Sequence, residues 1–309
     1  MRPTTALKIE PQDVERLLLA FPKGVAAFDL ELTGLSAVVD KIIEIAAVKV
    51  DSDGKVSTFH ELVNPLIEIP ERTIQYHNIT NDMVRDRPTL KKPLENFQSF
   101  YGSLPLIAHN AQFDASFIVK GLHEHNLSFS LSDIYDSCKM ARAVFKNRQK
   151  IQKPNHEKPC PENFRLATLA KFYNMNFNHH QALDDAIISL KIMSRCMGEL
   201  QLQDALKPSK VKEMSFLYKL NSFQKREAYI LPKKQQALAE HATNKTELEI
   251  MYQGGSFKNS FRQVLPVAIL PMPQGLALYA QCLKSNTFKY FKLKKIKEYK
   301  KADNDRPEC

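Results

Sequence analysis

The sequence predicts an α/β domain over residues 21–200, followed by a smaller, β-rich domain over residues 235–301. Up to about residue 200, short apolar runs with strand character alternate with segments of helical periodicity, which is typical of an α/β fold. From about residue 235, the pattern changes to short strands separated by turns. A chain of 309 residues is long enough to hold two domains.

The predicted elements follow one another in chain order. Residues 1–20 form an N-terminal extension with a short helix beginning at Pro11, and Asp53-Gly54 forms the turn of the second hairpin. Residues 145–161 are polar and basic and predict a long loop, and residues 201–234 predict a helical connector. The predicted strands cover residues 24–30, 41–50, 56–63, 105–108 and 132–138, and the predicted helices cover residues 88–103, 115–126, 166–173 and 183–190.

The net charge is concentrated in the second half of the chain. Residues 1–200 contain 24 basic and 24 acidic residues, whereas residues 201–309 contain 20 basic and 10 acidic residues and so carry the whole excess of +10. This split favours a polyanionic partner. The alternative is a basic tail that maintains solubility.

The cysteines and the hydropathy pattern predict a cellular location. Five cysteines are scattered along the chain without paired spacing, which favours reduced thiols in a cytosol-like compartment. No apolar run reaches the length needed to cross a bilayer, and the N-terminus lacks the layout of a signal peptide. We therefore expect a cytoplasmic protein without a membrane partner.

Three segments place acidic side chains directly after apolar runs. Asp29 and Glu31 lie two positions apart, so on a strand both carboxylates emerge on the same face. Asp114 follows a second short strand, and Asp185 lies in a segment of helical spacing, five residues after His180. Adjacent carboxylates repel one another unless a cation lies between them. For the first segment alone, a solvent-facing pair on an edge strand remains the alternative.

Together these segments resemble the motifs of a known enzyme family. The sequences FDLELTG at 28–34, HNAQFD at 109–114 and HHQALDDA at 179–186 resemble the three motifs of DEDDh, or DnaQ-like, 3′–5′ exonucleases. The resemblance covers about residues 24–197 in the family's order and spacing. It implies an RNase H-like mixed sheet flanked by helices.

The resemblance also implies a catalytic mechanism. Asp29, Glu31, Asp114 and Asp185 would form a cage of hard oxygen ligands for Mg²⁺ or Mn²⁺. Two such ions, about 4 Å apart, can clamp the attacking and leaving oxygens of an in-line phosphoryl displacement. His180, rather than the preceding histidine, would accept the proton of the attacking water.

Further roles come from the same resemblance. Thr33 and Leu35 correspond to positions that contact the terminal nucleotide, with Leu35 packing against its base. His109, Asn110 and Phe113 correspond to residues that line the pocket of the scissile nucleotide, although Phe113 also fits a core position.

Two other segments carry predictions in the exonuclease-like region. In the segment before the second motif, Asn78 ends a helix in a left-handed conformation and Thr80 caps the next helix. The loop at 145–161 would lie near the mouth of the site, where it is either a substrate-contacting flap or an ordinary solvated loop.

The C-terminal segment resembles a WYL-type domain, a small β-rich sensor module with an SH3-like barrel. The resemblance rests on Tyr252, the glycine pair at 254–255, the R-x-V-x-P segment at 262–266 and the K-x-F-K-L-K-K-I segment at 289–296. Leu276-Ala277-Leu278 stands where that family has its naming triad.

The end of this segment interleaves basic and aromatic residues. Lys289, Lys292, Lys294 and Lys295 alternate with aromatic or apolar residues, a pattern that favours single-stranded nucleic acid. Ordinary strand alternation, with core aromatics and solvated lysines, explains the pattern equally well.

These observations predict a metal-dependent 3′–5′ exonuclease that releases nucleoside 5′-monophosphates from nucleic-acid 3′ ends, single-stranded ends above all. The C-terminal domain would bind nucleic acid or a regulatory ligand. Two alternatives are a regulatory protein that only grips 3′ ends and a proofreading subunit of a DNA polymerase. Homo-oligomerisation and a polymerase partner are both left open.

Overall fold

The computed structural model describes residues 8–151, 160–175, 181–202, 204–224, 231–254, 260–272 and 275–302. The chain divides into two units, residues 1–226 and residues 227–309. Across the described residues, no helix combines the length and apolar character that a membrane span requires.

The first unit is built on a six-stranded mixed sheet. Its strands, in spatial order, are β3 (Val56–Leu62), β2 (Ile42–Asp51), β1 (Gly24–Leu32), β4 (Leu106–Ala108), β5 (Asp133–Asp136) and β6 (Phe216–Lys219). The pairs β1–β4 and β4–β5 are parallel, and the other neighbours are antiparallel. The predicted α/β class with a mixed sheet is confirmed.

Helices cover both faces of this sheet. They are α1 (Pro11–Ala20), α2 (Glu71–His77), α3 (Asn81–Val84), α4 (Lys91–Tyr101), α5 (Gln112–Glu124), α6 (Ser137–Ile151), α7 (Leu166–Phe172), α8 (Ala182–Gln201) and α9 (Pro208–Ser215). One core contains Val25 and Ala27 of β1 together with residues of α1, α6 and α8, and the other contains Ala26 and Phe28 with residues of α4 and α5. Because strand side chains alternate, the odd-numbered residues of β1 face α8.

Three local predictions are confirmed by the structure. Asn78 follows α2 with a φ of 58°, and the hydroxyl of Thr80 accepts a hydrogen bond from the backbone N–H of Met83 at the start of α3. Gly54 lies in the turn between β2 and β3 with a φ of 81°. These short-range features follow from the side chains at those positions.

The predicted loop at 145–161 differs from the structure, because α6 continues to Ile151. Phe145 is buried in the core, and Lys146 after it is exposed. The polar composition that predicted a loop is equally typical of an exposed helix end, and the first proline comes only at position 154. Residues 152–159, which include the rest of the predicted flap, lie outside the described residues.

The segment from 201 to 234 also differs from the predicted helical connector. Val211 and Met214 of α9 lie in the core of the first unit, and β6 pairs with β5 as an edge strand. Residues 1–20 were predicted to be an N-terminal extension, but α1 within them packs on the first unit, because Leu17 is buried in the same core. These segments join the first unit through contacts distant in sequence, which local periodicity does not report.

The second unit begins with a helix, α10 (Lys233–Thr243), where strands were predicted from about residue 235. This segment is rich in Lys, Gln, Ala and Leu, which are strong helix formers, and Pro232 precedes it. Five antiparallel strands follow, in the spatial order β10 (Thr287–Lys292), β9 (Gly275–Cys282), β8 (Phe261–Met272), β7 (Leu248–Tyr252) and β11 (Ile296–Lys301). The β-rich character is confirmed, whereas the WYL-type, SH3-like assignment stays a prediction.

Candidate active site

Three carboxylates converge at the end of β1. Asp29 and Glu31 lie on the face of β1 that is covered by α8, and Asp185 lies in the first turn of α8. One carboxylate oxygen from each of the three residues lies within 4.8 Å of the other two. The two-residue spacing on the strand and the packing of α8 against β1 are together sufficient to build this cluster.

Asp114 lies beside the cluster. It is buried in the first turn of α5, directly after β4, which runs parallel to β1. Burial raises the pKa of Asp114 to about 7, and the charges of Asp136 and Asp185 add to this, while backbone hydrogen bonds, one of them from Leu30, oppose it. Among the surrounding charges, that of Asp114 contributes most to the raised pKa of Asp29.

The electrostatics of the site fit a divalent cation. Burial raises the pKa of Glu31 to about 9, with further contributions from the charges of Glu44, Asp185 and Asp114. The pKa of Asp29 is also raised well above its ordinary value, mainly by burial. Crowded, partly desolvated carboxylates resist ionisation together, and a bound cation removes that penalty while hard oxygens supply the ligands it prefers. The donor set therefore fits Mg²⁺ or Mn²⁺.

Glu44 is a part of this site that the sequence did not reveal. It lies on β2 directly opposite Glu31 in the strand register and is buried. His60 of β3 donates a hydrogen bond from Nε2 to the carboxylate of Glu44, and this hydrogen bond raises the pKa of His60. The available signal was a single acidic residue inside the otherwise apolar run from Ile42 to Val48, but which residue it faces depended on the strand register.

The loop after β1 is held by its own hydrogen bonds. The hydroxyl of the buried Thr33 accepts a hydrogen bond from the backbone N–H of Lys41 (3.0 Å), and Asp40 accepts one from the N–H of Ser36 (2.8 Å). A Cβ at Gly34 would lie 2.4 Å from a carboxylate oxygen of Asp40, so a larger residue there would have to displace the carboxylate that accepts the hydrogen bond from Ser36.

The most exposed apolar side chain of this loop is that of Leu35. Leu35, at the tip of the loop, is 86% exposed. Its exposure suits the predicted contact with a terminal base, which stays a prediction. The hydroxyl of Thr33 is engaged inside the loop, and its predicted contact with substrate also stays a prediction.

The second motif is tied to the end of β5. Both ring nitrogens of His109 are hydrogen-bonded, to Ser137 Oγ (2.8 Å) and to the carbonyl oxygen of Phe164 (2.9 Å), and burial lowers the pKa of His109. Asp136, which the sequence reasoning missed, accepts a hydrogen bond from the backbone N–H of Asn110 (3.1 Å). His109 is thus held inside the structure at this point.

The remaining residues of the second motif differ in exposure. Asn110 is exposed, and its backbone has a φ of 60°. Phe113 is half-buried, with its ring 5.4 Å from that of Phe117 between centroids, which fits the core alternative. The roles of both residues toward a nucleotide stay predictions.

His180 lies outside the described residues, since positions 176–180 are not among them. The described chain resumes at Gln181, the residue that precedes α8. The catalytic role of His180 therefore rests on the motif and stays a prediction.

Comparison with known proteins now assigns the class. The model of the exonuclease family matches residues 26–193, more than half of the chain. The chain belongs to the exonuclease family. This membership confirms the predicted enzyme class, an exonuclease.

Relatives with similar sequences include PolC-type DNA polymerases III. The PolC-type DNA polymerase III of Halalkalibacterium halodurans is 32% identical over 180 residues, which are 58% of this chain and 12% of that protein. The PolC-type DNA polymerase III of Clostridium perfringens is 33% identical over 175 residues, which are 56% of this chain and 11% of that protein. The similarity thus spans only a small part of the relatives' length.

Solved structures share the fold. A structure of E. coli Exonuclease I in complex with a dT13 oligonucleotide is 15% identical, with a TM-score of 0.50 over 83% of this chain and 55% of that one. A 3′-exonuclease solved for its 3′-end-specific recognition of a histone mRNA stem-loop is 18% identical, with a TM-score of 0.50 over 68% of this chain and 72% of that one. At these identities the likeness supports the fold alone.

Proposed function

We propose that this protein is a two-metal-ion 3′–5′ exonuclease that releases nucleoside 5′-monophosphates from the 3′ ends of nucleic acid. The observation that carries the proposal is the convergence of Asp29, Glu31 and Asp185, with Asp114 beside them, in a chain of the exonuclease family.

Asp29, Glu31, Asp114 and Asp185 would hold the divalent ions. When bound, such ions supply an activated water and neutralise the charge that develops on the leaving oxygen. His180, immediately before α8, would take the proton from the attacking water, since an imidazole titrates near neutral pH. A carboxylate must be ionised to act as a ligand, and the raised pKa values of Asp29, Glu31 and Asp114 support the proposal that bound ions favour that state.

The first motif would also place the substrate. Leu35 offers an exposed apolar surface on a loop whose own hydrogen bonds hold it in place, which suits packing against the terminal base. Asn110 is exposed at the start of α5 and would contact the terminal nucleotide.

A proofreading role is a second candidate, and the PolC-type relatives favour it. In that case the chain would act on the 3′ end of a DNA primer and bind a polymerase.

The second unit, for which we retain the WYL-type assignment, would hold nucleic acid or a regulatory ligand. The five antiparallel strands and the basic composition of this region support that role.

The direct test uses single-stranded DNA and RNA labelled at the 5′ end. The full chain should shorten these strands from the 3′ end in Mg²⁺ and stop in EDTA. Asp185→Asn should abolish shortening while leaving the circular dichroism spectrum unchanged. Asp53→Asn, at an exposed position in the turn between β2 and β3, serves as the matched control and should turn over normally. Tight binding of 3′ ends without shortening would instead support a binding protein, and normal turnover by Asp185→Asn would refute the metal cage.

A further inference from the structure

The aromatic residues of β10 separate into two groups that the sequence could not distinguish. Phe291 is 2% exposed and belongs to the core of the second unit, as ordinary strand alternation requires. Phe288 and Tyr290, in contrast, are 40% and 50% exposed. They occupy alternate positions and therefore share the face opposite Phe291. Two large aromatic side chains thus lie side by side at the surface.

A third ring supports this pair from the neighbouring strand. Tyr279 of β9 is directly opposite Tyr290 in the strand register and is itself buried. The ring of Phe288 is stacked on that of Tyr279, with 5.5 Å between centroids and an angle of 15° between the planes. The ring of Tyr290 lies 4.7 Å from that of Tyr279, with an angle of 42°. Phe288, Tyr279 and Tyr290 form what we call the aromatic platform.

The surroundings of the aromatic platform are strongly basic. Residues 275–302 contain eight lysines and a single acidic residue, Glu298. Lys292 shares the face of the platform, since it lies two positions beyond Tyr290 on the same strand. Lys294 and Lys295 follow in an exposed turn. β10 is also an edge strand of its sheet, so none of the described strands pairs with its outer side.

We propose that the aromatic platform binds unpaired nucleobases of single-stranded nucleic acid by stacking on Phe288 and Tyr290, with the lysines beside it contacting the phosphates. Exposed aromatic rings in a basic setting suit this ligand, because every base presents a π face and every phosphate a negative charge. The inference deepens the proposed function and rests on it for the class of substrate. Single-stranded DNA and RNA share the required chemistry.

The first experiment uses the absence of tryptophan from the sequence. Phe288→Trp or Tyr290→Trp introduces the only indole of the full chain and preserves an aromatic surface. Titration with oligo(dT) or oligo(U) in EDTA should quench the tryptophan emission, and the quenching should saturate together with binding measured by fluorescence anisotropy of a labelled strand. The DNA and RNA arms show which strand the platform prefers. Full binding without any change in emission would overturn the proposal.

The second experiment measures affinity. Phe288→Ala and Tyr290→Ala should each weaken binding of oligo(dT) by about tenfold, the effect of losing one stacked base. Phe288→Tyr should bind like the wild type. Phe261→Ala is the matched control, because Phe261 is also exposed (37%) but lies on β8, beside Lys300 and away from the platform. The wild type should bind an abasic strand of equal length more weakly than oligo(dT). The wild type and Phe288→Ala should bind this abasic strand with equal affinity.

The outcomes separate the platform from the nuclease site. In one outcome, the wild type shortens strands in Mg²⁺, but the tryptophan emission is not quenched and the alanine variants keep the wild-type strand affinity. This outcome would refute the platform and leave the proposed function standing. Quenching by strands that the wild type never shortens would support the platform and refute the proposed function. If Phe288→Ala changes the sedimentation of the protein and leaves strand affinity unchanged, the platform is a contact between copies of the chain, and the proposal fails.

Discussion

The stability of the metal-free protein should fall as the pH rises, and Glu31 is the residue on which this prediction depends. Burial raises the pKa of Glu31 from 4.5 to about 9. Between these values the native state retains the proton, whereas the unfolded chain has lost it. Since the native state then binds more protons than the unfolded state, the free energy of unfolding decreases with pH throughout this window and levels off above the folded pKa.

The size of the effect follows from the proton difference. A difference of one full proton changes the free energy of unfolding by about 1.4 kcal/mol for each pH unit. Glu31 is only half-buried, so solvent screening reduces this change. We therefore expect the free energy of unfolding to fall by on the order of 1 kcal/mol for each pH unit between pH 6 and pH 8. Glu31→Gln removes this titrating group and should reduce the slope, with the largest gain in stability at pH 8; the part of the slope due to the raised pKa values of Asp29 and Asp114 should remain.

The assay is thermal or urea unfolding of the full chain in EDTA at several pH values, following the transition that Mg²⁺ shifts. Glu68→Gln is the matched control, because Glu68 is exposed in the loop after β3 and should leave the slope unchanged. With saturating Mg²⁺ the slope should reverse in the wild type, since the ionised carboxylates are the form that binds the ion. Equal slopes for the wild type and Glu31→Gln in EDTA would refute the reasoning.

Three further predictions concern activity and binding. His180→Ala should reduce the hydrolysis rate by about two powers of ten or more with little change in strand affinity; a larger loss for His179→Ala in the same single-turnover assay would place the base one residue earlier. Leu35→Ala should raise KM by roughly tenfold without lowering the melting temperature, because the side chain is exposed; an unchanged KM would remove Leu35 from the substrate contacts. Replacing Lys294 and Lys295 by Gln should make the fall of log affinity with log salt less steep, by about 0.7 for each lost phosphate contact. An unchanged slope in anisotropy titrations would contradict this prediction.

The sequence by itself determined the parts of this protein that depend on local spacing. A strand period of two places Asp29 and Glu31 on one face, and the left-handed Asn78 and the cap at Thr80 follow from the chemistry of single side chains. The order and spacing of the three acidic segments also sufficed to predict the exonuclease class, which the family match confirms. Short-range geometry is encoded within a few residues, so it can be predicted without knowing the fold.

Only the tertiary structure decided which distant residues meet. Glu44 faces Glu31 because of the register between β1 and β2, and Asp136 holds Asn110 across two neighbouring strands. The sequence also left open which of Phe288 and Phe291 is buried, since strand alternation places them on opposite faces without saying which face is covered. Burial depends on which elements pack against each face of the sheet, and those contacts are made by segments that lie far apart in the chain. A local pattern of residues therefore does not report them.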